Sequence, residues 1–254
     1  MYSQTMTNNR VGRSGTGEPT SSPLRVLALG AVAGPALFTL TWLTLGVTST
    51  GYTLYGHTFR EYSPVSQPIS GLGVGATAPF MNTAFVVTGL MLLVGVVGIV
   101  RSVPAAGSPT LRRWALALLA CTGIGQALCG VFTLRASVVH GLAFLLAVGT
   151  PIVGFVVAGR YLRRVPGWRR LGTGLAVVGS PLALLGLIAY FVAFRPTADG
   201  AEHGVAGLIQ RIDVVGVHAW FVAMGWRAFR EPGSTPPASR PASGQRPSAS
   251  SIAR

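Results

Sequence analysis

Six stretches of 21 to 24 residues, Val26–Val47, Phe80–Val100, Trp114–Leu134, Ala136–Gly159, Leu171–Phe194 and Gly204–Trp226, are almost free of charge. Each has the roughly 20 residues that an α-helix needs to cross about 30 Å of hydrocarbon. Inside lipid a backbone group must pair within its own segment or in a closed barrel, and the alternation of barrel strands is absent, so the stretches predict helices. Five contain no Asp, Glu, Lys or Arg, while the sixth contains Arg211 and Asp213. Only 10% of the chain is charged, against roughly 25% in soluble domains, which excludes an ordinary soluble enzyme. The expected fold is all-α: a polytopic membrane protein built as a six-transmembrane-helix bundle.

The net charge of +14 comes from 20 basic residues, all of them arginine. They form no stripe that could track a phosphate backbone, so nucleic acid is excluded as a partner. With a cytoplasmic amino terminus, sixteen of them fall inside: Arg10, Arg13, Arg25, Arg101, Arg112, Arg113, Arg160, Arg163, Arg164, Arg169, Arg170, Arg227, Arg230, Arg240, Arg246 and Arg254. Arg60, Arg135 and Arg195 fall outside and Arg211 lies within the last span. The positive-inside rule therefore predicts both termini cytoplasmic in a multi-pass plasma-membrane protein. The segment Arg160–Arg170, with five of these arginines, reads as the main topology determinant, with contact to anionic headgroups as a second use. A polar segment of more than twenty residues precedes the first span, which argues for a retained span over a cleaved signal peptide.

Residues 1–24 and 231–254 are polar, rich in Ser, Pro, Thr and Gly, and lack an apolar period. They are expected to be disordered cytoplasmic tails flanking a transmembrane domain over 25–230. The external segment Thr48–Pro79 is too small for a core of its own and long for a plain connector, so it is expected to be a lid or a re-entrant segment. Gly30 and Gly34 form a GxxxG, and Gly154 and Ala158 a second small pair, which favour close helix packing and would also serve a helix-mediated homo-oligomer. Pro35, Pro151 and Pro181 should kink their spans.

The chain has no nucleophile elbow, phosphate loop, HExxH or complete GxGxxG. Cys121 and Cys129 lie eight apart on one expected helix, roughly 12 Å along its axis, too far for a disulfide. No cofactor and no metal site are expected from these patterns, the four histidines being scattered. Polar groups inside spans are costly enough to be functional candidates. Depth counting places Gln210, Arg211, Asp213, Asn82 and His140 in the outer half, with Gln126 nearer the middle. These six are the candidate ligand-binding residues. The structural alternative is that Arg211 snorkels and Asp213 pairs with Arg135 or Arg195. Arg211 and His218 share one helix face, Asp213 and Trp220 another.

The run Tyr62-Ser-Pro-Val-Ser-Gln-Pro-Ile-Ser-Gly-Leu-Gly73 precedes the second span, His140-Gly141 opens the fourth, and Gly207-Leu-Ile-Gln-Arg211 opens the sixth. With these motifs the chain resembles the bacterial membrane family called domain of unknown function 998, from about Arg25 to Trp226. The resemblance implies a multi-span helical fold and supplies no reaction, cofactor or catalytic residue.

The leading functional expectation is a non-catalytic membrane component that binds a lipid or small amphiphile in an outer-half polar cavity, with membrane lipids as partners. A small transporter is the alternative. A metal-dependent, membrane-embedded lipid hydrolase using His140, His203, His218 and Asp213 is a third.

Overall fold

The computed structural model describes residues 23–105, 108–194 and 204–230. Helical backbone runs through Pro23–Thr48, Gly75–Ser102, Pro109–Val131, Leu134–Leu162 and Arg169–Ala193, five segments long and apolar enough to cross a membrane. A further helix, Ala206–Arg230, has 25 residues and carries Arg211 and Asp213 in its second turn. These six are called the first to sixth helices. The expected tails fall almost wholly outside the described residues, as do Arg195, Asp199, Glu202 and His203.

The second helix lies against the first, third and sixth, and the fourth against the third and fifth. Lipid tails are as apolar as leucine, so these contacts rest on close fit more than on exclusion of water. The GxxxG of the first helix supplies that fit: a Cβ on Gly30 would stand 2.3 Å from the carbonyl oxygen of Met91, and one on Gly95 would stand 2.1 Å from the backbone nitrogen of Ala31. Only glycine lets the two backbones approach this far. Large apolar side chains instead point outward, among them Val47, Val138, Leu142, Val177 and Ile212, which is the surface a bundle presents to lipid.

Pro35 lies within the continuous helix Gly30–Thr48, whereas the backbone changes its winding ahead of Pro151 and Pro181. Each of the latter two follows a π-helical turn, Leu145–Gly149 in the fourth helix and Leu175–Gly179 in the fifth. Proline has no N–H and its ring collides with the carbonyl one turn earlier, and a widened turn makes room for both. A hydroxyl takes up the carbonyl that Pro151 leaves free across its π turn, and another ties the fifth helix to the fourth. Thr150 donates to Leu146 O at 2.7 Å, and Ser180 donates across to Ile152 O at 2.6 Å.

The segment between the first and second helices departs from an all-helical reading. Strands β1, Tyr52–Leu54, and β2, His57–Phe59, pair antiparallel with Leu54 opposite His57. The two-residue turn between them has Tyr55 at φ 51° and Gly56 at φ 84°, the left-handed pair that matches the twist of a tight hairpin. Six strand residues are too few to show a period in sequence, so the sequence predicts only a lid or a re-entrant segment there. Beyond the hairpin the chain turns inward, and a 3₁₀ helix over Ile69–Gly73 is buried throughout.

Candidate functional site

Three sequence motifs that are far apart in the chain meet at the hairpin end of the bundle. Arg211, 5% exposed, donates from Nη1 to the carbonyls of Pro64 at 2.8 Å, Gln67 at 2.9 Å and Gly207 at 2.8 Å. Its Nη2 donates to the hydroxyl of Tyr62, which donates on to Pro68 O at 2.9 Å. The indole of Trp42 and the ring of Tyr62 lie 5.4 and 5.7 Å from the guanidinium carbon. A planar guanidinium reaches the carbonyls from one terminal nitrogen and the Tyr62 hydroxyl from the other, a spread that a single ammonium nitrogen does not have. Arg211 therefore pins the Tyr62–Gly73 run to the sixth helix through neutral oxygens and aromatic faces. Gly207 completes the seat, since a Cβ there would lie 2.2 Å from Gln67 O, and Leu208 N–H donates to Val65 O at 2.9 Å.

Gln210 holds the next part of the run. Its side chain accepts from Ile69 N–H at 2.8 Å, and because a backbone N–H can only donate, the accepting atom is Oε1 and the NH₂ group is left over. Asn82 holds the end of the run, donating from Nδ2 to Gly73 O at 3.1 Å.

His140 approaches from the fourth helix. Its Nδ1 lies 2.6 Å from Phe132 O and its Nε2 lies 2.9 Å from Ser70 Oγ. A carbonyl only accepts, so Nδ1 carries the proton; in the neutral ring Nε2 is then an acceptor, and Ser70 O–H donates to it. Ser70, His140 and Gln210 line a cavity of about 610 Å³ under the hairpin. The remaining wall is mainly apolar and includes Leu54, Phe59, Leu134, Phe144, Leu145 and Phe191.

Ser70 and Gln210 also line a second, narrower cavity of about 40 Å³ deeper in the bundle, with Gln126, His218 and Thr122. There Thr88 donates to Ala84 O at 2.5 Å, Gln126 Nε2 donates to Thr88 Oγ1 at 2.6 Å, and Gln126 Oε1 accepts from His218 Nε2 at 3.1 Å. That fixes the proton of neutral His218 on Nε2 and leaves Nδ1 without a partner among the described residues, as it does Thr122 Oγ1.

Asp213 stands apart from this cluster. It is buried against the fifth helix, where a Cβ on Gly186 would lie 2.4 Å from its Oδ1, and it shares a groove with Trp220. It has no hydrogen bond to Arg135 or Arg211 among the described residues; Arg195 lies outside them. Of the six candidates, the structure thus gathers Arg211, Gln210, Asn82 and His140 around one loop, sets Gln126 one layer deeper, and turns Asp213 to another face. Among the described residues no three His, Cys, Asp or Glu side chains are grouped to hold a metal ion, and both cysteines are free.

A family model described as protein of unknown function (DUF998) matches residues 32–227. The chain belongs to this family. No curated protein and no solved structure matches it. The DUF998 match spans all three converging motifs, so the hairpin-end cluster lies wholly within the family region.

Ser70 and Tyr62 are central to the DUF998 cluster and were not singled out by sequence reasoning, which counted depth only within spans. Both lie in the connector. The available signal was the run itself: two prolines, three serines and a glutamine in a segment leading straight into an apolar helix.

Proposed function

We propose that this DUF998 protein is a six-span plasma-membrane protein with both termini cytoplasmic, whose hairpin-end cavity binds a lipid or small amphiphile from the outer leaflet. The arginine distribution supports the orientation, since it sets the hairpin on the arginine-poor side. The observation that carries the binding reading is the cavity of about 610 Å³, within the range of roughly 300–1,000 Å³ usual for small-molecule sites. Its mostly apolar wall with Ser70, His140 and Gln210 grouped on one side matches a molecule with an acyl chain and a polar end. Both terminal nitrogens of Arg211 are engaged, by three carbonyls and the Tyr62 hydroxyl, and its side chain does not line the cavity, so it shapes the cavity from behind and is not the headgroup ligand.

The test is titration of the purified protein with a fluorescent C12 acyl amphiphile, in parallel with Gly141→Trp. Gly141 lines the cavity and has nothing within 4 Å of a Cβ built on it, so the indole fills the cavity without displacing backbone. Saturable binding that Gly141→Trp abolishes at unchanged melting temperature is the expected result. Absence of saturable binding, or binding indifferent to the tryptophan, overturns the reading.

A further inference from the structure

We infer that Ser70 and His140 form a nucleophile–base pair that cleaves carboxylic esters of amphiphiles entering the hairpin-end cavity; this rests on the binding reading above. Four observations meet at one place. Ser70 O–H donates to His140 Nε2 at 2.9 Å, the geometry in which an imidazole takes a hydroxyl proton as the oxygen attacks. His140 Nδ1–H is held by Phe132 O at 2.6 Å, which fixes the tautomer and supports the imidazolium once it forms, as the third member of a catalytic triad does. The carboxamide of Gln210 is anchored on the N–H of Ile69, the neighbour of Ser70, with its NH₂ group unengaged among the described residues. Serine, histidine and glutamine all line the cavity whose other walls suit an acyl chain.

The reaction follows from these positions. Ser70 Oγ bonds to the ester carbonyl carbon while its proton passes to His140 Nε2, and the carbonyl oxygen becomes an oxyanion to which Gln210 Nε2 donates. Collapse breaks the bond to the leaving oxygen, which takes the proton from His140 Nε2 and departs as the alcohol, leaving acyl-Ser70. Water then attacks the acyl carbon and gives a proton to His140. The second collapse returns that proton to Ser70 Oγ and releases the carboxylic acid. No metal and no redox partner enters the balance.

A purely structural role for the pair, tying the loop to the fourth helix, predicts a different outcome. The decisive experiment treats the full-length protein in detergent with a fluorophosphonate probe, followed by peptide mapping, and measures hydrolysis of 4-nitrophenyl decanoate. Label on the peptide containing Ser70 is expected, lost in Ser70→Ala, with both labelling and hydrolysis slowed by about 10²–10⁴-fold in His140→Gln. Ser70→Cys guards against a folding defect: it keeps a nucleophile in place and should take a thiol-directed acyl probe in a His140-dependent way. A folded wild type that stays unlabelled while still binding the C12 amphiphile overturns the nucleophile and leaves the binding reading standing. A folded wild type that neither labels nor binds overturns both. Label at a residue other than Ser70 also overturns the assignment.

Discussion

Arg211 and Asp213 sit two positions apart on the sixth helix and serve different neighbours: Arg211 reaches the carbonyls of Pro64 and Gln67, and Asp213 packs on Gly186 of the fifth helix. A separation of two residues places side chains on different helix faces, so proximity in sequence does not make an ion pair. Arg211→Gln is expected to destabilise the protein by about 2–4 kcal/mol, because buried loop carbonyls lose a charged donor. Arg211→Lys should recover little, since an ammonium cannot span the same acceptors. Adding Asp213→Asn to Arg211→Gln should change stability additively, within about 0.5 kcal/mol. Melting curves in detergent of the parent, Arg211→Gln, Arg211→Lys, Asp213→Asn and the double variant decide this, and a rescue by Asp213→Asn would show that the two charges are coupled after all.

The helical character of the chain, with five helices long and apolar enough to cross a membrane, was legible because a membrane span leaves a long uncharged run. The GxxxG at Gly30 and Gly34 likewise announced a close approach, though not that the second helix would be its partner. What the sequence could not disclose was helix rotation. The two-residue spacing, about 200° of turn, already set Asp213 on a different face from Arg211, with Trp220, but not which neighbouring helix that face would meet. Ser70 was missed for a related reason: its role depends on His140, seventy positions away, and the contact exists only once the connector folds back into the bundle.

The polar chain Thr88–Gln126–His218 gives a second expectation. Gln126→Leu removes the acceptor for His218 Nε2–H and leaves a buried donor stranded, at a cost of about 1–3 kcal/mol. Combining it with His218→Phe removes both partners and should restore part of that loss, since an apolar pair leaves nothing unpaired. Chemical denaturation in mixed micelles reads the difference. A double variant less stable than the sum of the two single changes would mean that the chain matters for more than mutual satisfaction.

Glycine spacing can be tested by a matched pair. Gly95→Ala forces a Cβ to 2.1 Å from the backbone of Ala31 and should cost about 1–3 kcal/mol through overpacking. Gly216→Ala meets nothing within 4 Å and should stay within about 1 kcal/mol of the parent. Equal melting temperatures for the two variants would contradict the close approach of the first and second helices.

Topology is open to direct measurement. Reporters active only in the cytoplasm should work when fused after Arg101, Arg164 and Arg230, and a periplasm-active reporter should work near Arg60. The fusion after Arg230 is the informative one, because the sixth helix is the one whose apolarity is compromised by Arg211 and Asp213. Their placement is compatible with a sixth span: the terminal nitrogens of Arg211 are held by loop oxygens and Asp213 is sheltered by the fifth helix, so neither is presented bare to lipid. A cytoplasmic signal at Arg164 together with an external one at Arg230 would mean that five helices cross and the sixth does not.

The last expectation concerns the hairpin as a cover. Tyr55 at its tip donates to Leu134 O at 2.5 Å and also lies 3.1 Å from Arg135 O, in the first turn of the fourth helix. Tyr55, Leu54, His57 and Phe59 form one wall of the cavity, so this tether decides how readily the wall moves. Tyr55→Phe removes the hydroxyl and keeps the ring, while Tyr55→Asn removes both and suits the left-handed backbone at φ 51° better than an aromatic residue does. If the tether governs access, both variants should release the fluorescent C12 amphiphile faster, by about 5- to 10-fold for each kcal/mol or so of lost hydrogen bonding, with melting temperatures close to the parent. Stopped-flow dilution measures the release rate. If the turn conformation governs access instead, Tyr55→Asn should slow release while Tyr55→Phe leaves it unchanged, and that pattern would sink the tether.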